Sequence, residues 1–199
     1  MVSIPLLPAV RRTCLAIGLG LALALLPPGA RLLAATVCVL TPRLALNARG
    51  EAVAAVPIGA PTILSTESLE EVRIERAGEL LWQRQALPGE AIDGPIAWPL
   101  APIRPGQQLQ LLLRPQGVRR DDFAIILLEG DPAERMERAQ RELDGLASDP
   151  LAWWASIQRN FDRGDLSLGL ALLYAFEGPA SPRLDNLRRA VFQAGCGAP

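Results

Sequence analysis

The hydrophobic pattern of this chain changes its period at residue 131, and that change limits the folds open to it. Between residues 36 and 130, short apolar runs alternate with polar residues and are broken at regular intervals by Pro and Gly. This pattern is typical of β-strands in an antiparallel sandwich or barrel. From residue 131 onward the apolar residues recur every three to four positions, which is typical of amphipathic helices. Strands followed by helices indicate an α+β fold.

The part before residue 131 contains one clear hairpin and several further strands. Residues 71–75 alternate charged and apolar side chains, Ala77 and Gly78 make a turn, and residues 80–83 return. Other strands are predicted at residues 36–40, 95–100, 108–113 and 123–128. The last of these is continuously apolar, which predicts a central strand buried on both faces. Roughly seven such strands fit an antiparallel immunoglobulin-like β-sandwich over residues 36–130.

The remaining residues, 131–199, are predicted to form a tail of about four helices. A capping side chain followed by proline, a pattern that starts helices, occurs at residues 131–132, 149–150 and 181–182. Residues 166–176 are apolar nearly all round, which predicts a helix covered by several neighbours. The connection at residues 129–130 is too short for a flexible linker, so we expect a small helical bundle packed on the sandwich.

The first 35 residues have the order of a secretory signal peptide. Arg11 and Arg12 precede an uncharged apolar run at residues 14–26, and small residues follow at Ala34 and Ala35. The run is shorter than the roughly 20 residues of a spanning helix, which favours cleavage over an uncleaved membrane anchor. We therefore expect a periplasmic or secreted protein that contacts a membrane only if this segment is retained.

Removal of that segment leaves two of the three cysteines, Cys38 near the start of the mature chain and Cys196 near its end. In an oxidising compartment they either stay free or pair. Pairing closes nearly the whole chain into one loop, which stabilises the fold by several kcal/mol. Spacing alone does not decide between these alternatives, because a disulfide requires a short Cα separation in the fold. Cys38 and Cys196 are therefore the candidate disulfide.

Composition argues against most enzyme classes. The chain has no histidine, and every basic residue is arginine. Serine hydrolases, P-loop enzymes and zinc sites need histidine, lysine or clustered cysteine. Asp121 and Asp122 follow two arginines and are interpreted as a solvated loop, while Glu67, Glu70 and Glu71 are interpreted as strand-edge charges. We therefore predict no catalytic, cofactor-binding or metal-binding residues, and no cofactor.

One aromatic residue is a candidate for contact with an outside ligand. Trp153 and Trp154 are adjacent, so on a helix their side chains diverge by about 100°. Trp154 lies on an apolar stripe with Leu151 and Ile157 and is assigned to the core. Trp153 is the better candidate for an exposed contact, either with the sandwich or with an external ligand, and of the two the internal contact with the sandwich is favoured.

Four short motifs occur in order along residues 98–191. They are Trp98-Pro99-Leu100, the Pro105-Gly106 turn before Leu109-x-Leu111-x-Leu113-x-Pro115, the helix at residues 170–174, and Leu187-x-x-x-Val191. In this order they resemble an uncharacterised family of secreted cyanobacterial proteins. The likeness covers residues 60–195. The resemblance implies export and an immunoglobulin-like sandwich with a short helical tail, and it brings no activity or site with it.

These observations lead to three functional hypotheses. The preferred one is a non-enzymatic periplasmic binding or interaction protein whose sandwich presents a surface or edge strand to an envelope protein or polysaccharide. The alternatives are a carboxylate-dependent hydrolase of envelope polysaccharide and a membrane-anchored accessory subunit of an envelope complex. Without residues 1–35 the net charge is about −4, so no nucleic-acid partner is expected.

Overall fold

Strands precede helices in the computed structural model, which describes residues 37–196. The strands are β1 (Val39–Thr41), β2 (Leu44–Leu46), β3 (Ala52–Val56), β4 (Leu64–Ser65), β5 (Leu69–Arg76), β6 (Glu79–Gln85), β7 (Gln108–Pro115) and β8 (Ala124–Gly130). The helices are α1 (Ala133–Asp144), α2 (Pro150–Asp162), α3 (Leu166–Ala175) and α4 (Pro182–Ala194). The predicted α+β class is therefore confirmed. The predicted signal peptide, residues 1–35, lies outside the described residues.

The main sheet has six strands in the order β2-β3-β8-β7-β5-β6, and β1 pairs with β4 in a separate two-stranded sheet. Strand β3 runs parallel to β8, with Val53 opposite Leu127, whereas the other neighbouring strands are antiparallel. The sheet is mixed, so the prediction of purely antiparallel pairing was wrong. The reason is that four strands, β4 to β7, lie between β3 and β8 in the chain. A connection of that length permits a parallel pair, which a tight hairpin does not.

Alternate residues of the main sheet face the first hydrophobic core. Val72, Ile74 and Leu111 are fully buried there. They pack with apolar side chains of the segments that join the strands, namely Ile63, Ile92, Ile96 and Ile103. Antiparallel bridges between Ile63 and Ile96 and between Leu69 and Ile92 hold these segments together. The core is therefore enclosed by regular strands on one side and by largely irregular chain elsewhere.

The β5–β6 hairpin is confirmed. Ala77 and Gly78 form its turn, with φ of 51° and 82° respectively. Two consecutive residues with positive φ give a turn whose twist matches that of the flanking strands. Alanine is an uncommon choice at such a φ, because its Cβ crowds the following carbonyl oxygen.

Two predictions about strands were wrong in detail. The segment 95–100 is not a strand, because only Ile96 forms a bridge and the flanking Pro95 and Pro99 lack the N–H groups that a ladder needs. Strand β8 is central, with β3 and β7 as neighbours, but it is not buried on both faces. Ile126 is 2% exposed whereas the adjacent Ile125 is 57% exposed. None of the described elements covers the outer face of the sheet at Ile125.

The helices enclose a second hydrophobic core built around α3. Leu172 and Leu173 are fully buried, as the apolar circumference of this helix predicted. Asp149 caps α2 by accepting from the N–H of Leu151, and Ser181 caps α4. The expected side-chain cap at Asp131 is wrong, since Pro132 occupies the N-cap of α1 and makes no side-chain hydrogen bond. Among the described helices, none is long and apolar enough to cross a bilayer.

A buried ion cluster joins β5, β6 and β7. Glu71 is 2% exposed, so it is not the solvated edge charge that the sequence predicted. One of its carboxylate oxygens accepts from Arg114, with an N–O distance of 2.8 Å, and the other accepts from Arg73 and Gln83. Arg114 also pairs with Glu70 at 2.6 Å. Burial alone raises the pKa of Glu71, but the hydrogen bonds from Arg114 and Arg73 outweigh burial and lower it below its ordinary value.

Arg114→Leu removes the buried cation from this cluster and leaves Glu71 with only its partners Arg73 and Gln83. We expect the free energy of unfolding to fall by about 3–5 kcal/mol, because an incompletely paired buried charge is strongly destabilising. Urea unfolding measures this change. The control is Arg119→Leu, at a residue whose side chain is 80% exposed, and it changes stability by less than about 0.5 kcal/mol. Equal effects from the two variants would contradict a structural role for the cluster.

Candidate functional site

The two candidate cysteines are bonded to each other. Cys38 precedes β1, Cys196 follows α4, and their Cα atoms lie 5.5 Å apart. The bond joins the first described strand to the last helix across a sequence separation of 158 residues. Of the two alternatives left open by the sequence, the structure therefore takes the paired one.

Trp153, the candidate for an exposed contact, is buried, and its contacts are internal ones with the helical core and not with the sandwich or an external ligand. Trp153 is 5% exposed, its indole N–H donates to the carbonyl of Ala147, and its ring meets that of Phe176 edge to face at 5.2 Å. Trp154 is instead half-buried, and Leu151, predicted to lie on the buried stripe, is 67% exposed. The buried face of α2 is thus rotated from the predicted one, and Trp153 makes an internal contact within the helical core.

Polar residues explain that rotation. Ser156 and Asn160 lie on the buried face of α2, at 0% and 3% exposure, and both donate to the carboxylate of Glu142 on α1. Arg159 pairs with the same carboxylate at 3.6 Å. Counting only apolar residues places the helix stripe elsewhere, because the count takes no account of a half-buried carboxylate that draws polar partners inward.

A pocket of about 500 Å³ lies where the β1–β2 turn, β3 and the start of α3 meet, and we call it the arginine pocket. The residues that give it chemical character are Arg43, Arg135, Arg163, Asp165 and Ser167. Apolar side chains, among them Ala55 of β3, complete the wall. Three guanidinium groups and one carboxylate therefore share this pocket.

Two carboxylates hold Arg135 in place. Its guanidinium lies 3.0 Å from the carboxylate of Asp131 and 2.8 Å from that of Asp165. Asp165 also caps α3 by accepting from the N–H of Leu168, so the same oxygen serves both partners. Burial raises the pKa of Asp131 above its ordinary value; Arg135 opposes this shift, and the nearby charge of Asp165 adds to it. The positive charge of Arg135 is therefore neutralised by these two carboxylates.

Arg43 and Arg163 carry the unbalanced positive charge of the pocket. Both are exposed, and within residues 37–196 neither forms an ion pair. Arg163 ends α2, and Gly164 follows with φ of 75°, a conformation that glycine adopts without strain. The turn then brings Asp165 back to cap α3. This geometry places Arg163 at the pocket mouth next to the first residues of α3.

The arrangement is suited to holding an anion. Arginine stays protonated at all physiological pH values, and its planar fork matches the geometry of phosphate and carboxylate groups. The hydroxyl of Ser167 supplies a further donor. Asp165 is engaged by Arg135 and by the helix cap through the same oxygen, Oδ1. Within the described part of the chain, no cluster of His, Cys, Asp or Glu side chains could hold a metal ion.

Comparison of the chain with protein-family models, with curated proteins and with solved structures finds no match in any of the three.

The sequence contains only a weak signal for this pocket. Arg163-Gly164-Asp165 is recognisable as a turn, but nothing in it indicates that Arg43, 120 residues earlier, lies beside it. The pocket draws its residues from separate segments that meet only in the folded chain. Local sequence patterns depend on neighbours in the chain, so they do not predict which distant segments come together in a pocket.

Replacement of both cysteines, Cys38→Ser with Cys196→Ser, is expected to lower the free energy of unfolding by about 2–5 kcal/mol, because a very long loop is no longer closed. Urea unfolding of the variant measures the loss. Wild-type protein treated with dithiothreitol serves as the matched reference and should unfold at the same midpoint as the variant. An unchanged midpoint in dithiothreitol would show that the bond contributes nothing to stability.

Arg135→Gln leaves the carboxylates of Asp131 and Asp165 close together without a cation. The pKa of Asp131 then rises further, and a carboxyl whose folded pKa lies above its unfolded value destabilises the fold increasingly as pH rises from the unfolded to the folded pKa. We expect a loss of about 1–3 kcal/mol at neutral pH that shrinks as pH falls through the raised folded pKa and is absent below the ordinary value of 3.8. Urea unfolding at both pH values tests this. Arg141→Gln, which removes an exposed pair, changes stability by under about 0.5 kcal/mol at either pH.

Proposed function

We propose that this chain is an exported, non-enzymatic binding protein that takes an anionic ligand in the arginine pocket. The observation that carries the proposal is the pair Arg43 and Arg163, which flank the pocket and form no ion pair within residues 37–196. Two arginines facing one pocket repel each other, and an anion between them removes that repulsion. Phosphate or carboxylate groups of an envelope polysaccharide or protein are the ligands of this chemistry.

Export is supported by two independent features. The first 35 residues have the order of a signal peptide. The bond between Cys38 and Cys196 is of a kind that persists in oxidising compartments such as the periplasm and is rare in the cytosol. A periplasmic or secreted location agrees with the resemblance to secreted cyanobacterial proteins. We retain both the location and the resemblance as proposals.

We also infer that the part before residue 131 is a β-sandwich related to the immunoglobulin-like type. The support is a core shared between the six-stranded sheet and a second layer that contains β1 and β4. The parallel pair β3–β8 and the irregular second layer distinguish it from a regular sandwich of two antiparallel sheets.

The two other hypotheses remain predictions. A carboxylate-dependent hydrolase needs two carboxyls with room for a sugar bond between them. Asp165 and Asp131 both pair with Arg135, and of the two only Asp165 lines the arginine pocket, so the pocket wall holds a single carboxyl. A membrane-anchored accessory subunit depends on residues 1–35, outside the described part of the chain. Assays of envelope polysaccharide cleavage and of the N-terminus in membrane fractions test these two hypotheses.

Titration calorimetry at low ionic strength tests the binding proposal, with inorganic phosphate and glucuronate as probes. We expect the double variant Arg43→Gln with Arg163→Gln to bind at least about tenfold more weakly than wild type, because charge-assisted hydrogen bonds are lost. Added NaCl should weaken wild-type binding, since the arginines are exposed to solvent.

The control for net charge is Arg49→Gln with Arg119→Gln, at two exposed residues outside the pocket. It removes the same charge and should leave the affinity within about twofold of wild type. If wild type binds neither probe, or if the control loses as much affinity as the pocket variant, the arginine pocket is not an anion site.

A further inference from the structure

A second pocket, of about 270 Å³, adjoins the arginine pocket, and we call it the apolar pocket. The two pockets share the side chains of Arg43 and Leu166. Leu166 is 38% exposed at the first position of α3, so it forms a low apolar rim between the two spaces. A ligand bound at the arginines therefore has an apolar cavity immediately beside it.

The walls of the apolar pocket are almost entirely aliphatic or aromatic. Apart from Arg43 at the shared mouth and the sulfur of Cys196, its lining consists of hydrophobic residues and one glycine. Phe161, Leu170 and Val191 contribute from three different helices. No carboxylate lines it, so a cation placed there would find no partner among the lining residues, and Arg43 at the shared edge is the one charged side chain of the lining. Hydrocarbon fits this space, because burial of apolar surface needs no directional partner.

We propose that the ligand is a single-chain anionic amphiphile, with its charged head in the arginine pocket and its alkyl chain across Leu166 in the apolar pocket. This inference rests on the anion-binding role proposed above. The two pockets and this ligand are complementary. Arg43 and Arg163 form a cationic site beside an apolar cavity, and an amphiphile carries a charged head beside an apolar chain. The disulfide at Cys196 forms part of the cavity wall and holds α4 against β1 around it.

The inference predicts how affinity depends on chain length. Each methylene group that enters the apolar pocket should strengthen binding about fourfold, the factor expected for burial of one CH₂. The gain should stop once the pocket is filled, because further methylenes remain in water. A ligand held by its head group alone gives no such dependence.

Titration calorimetry with inorganic phosphate, methyl phosphate, n-butyl phosphate and n-hexyl phosphate, at monomeric concentrations, tests this prediction on the oxidised protein. We expect affinity to rise from methyl to butyl phosphate and again to hexyl phosphate, since a hexyl chain occupies less than the volume of the apolar pocket. Ala194→Leu narrows the apolar pocket and should remove most of the gain with chain length, while leaving the affinity for inorganic phosphate unchanged. Leu166→Gln, which makes the rim polar, should likewise reduce the gain in affinity with chain length.

Leu80→Gln is the matched control, since Leu80 is an exposed leucine on β6 that lines neither pocket. It should preserve the full chain-length dependence. If phosphate binds but affinity does not change with chain length, the amphiphile inference is wrong and the anion site stands. If chain-length dependence persists unchanged in both Ala194→Leu and Leu166→Gln, the chain binds elsewhere, and the inference is likewise overturned. If no probe binds wild type, the proposed function itself fails.

Discussion

The covalent bond between Cys38 and Cys196 is the constraint on which the proposed site depends. It holds the end of α4 beside β1, although the two lie at opposite ends of the described chain. Val191 and Ala194 of α4 and Val39 of β1 then face one another around the apolar pocket. Without this closure, α4 would be held by its own apolar contacts with the other helices. The site at the junction of strands and helices would lose one of its walls.

Arginine serves two distinct purposes in this protein. Arg114 and Arg135 are each held by two carboxylates, one pair inside the sheet and the other at the start of the helices. These arginines neutralise acidic groups that folding has removed from water, and their loss destabilises the fold. Arg43 and Arg163 have no such partner within residues 37–196 and face a pocket, so their charge is available to a ligand. Burial and pairing, and not residue type, separate the two roles.

Local rules predicted much of the secondary structure. Asp149 and Ser181 cap their helices as expected, since a side chain at the N-cap needs only the next two or three N–H groups. The expected cap at Asp131 fails because Pro132, one residue later, is the N-cap of α1, and the carboxylate of Asp131 pairs with Arg135 instead. Glu71 was likewise misjudged as an edge charge. Its partner Arg114 is 43 residues away in the chain, and no residue near Glu71 in the sequence indicates that pairing.

The sequence by itself determined where strands give way to helices and where α2, α3 and α4 begin. These properties depend on backbone sterics, on hydrophobic period and on caps, all of which act over a few residues. The tertiary structure alone decided that β3 lies parallel to β8, that Trp153 faces inward, and that Arg43 and Arg163 share a pocket. Each of these outcomes depends on which distant surfaces pack together, because packing and charge pairing act between neighbours in space.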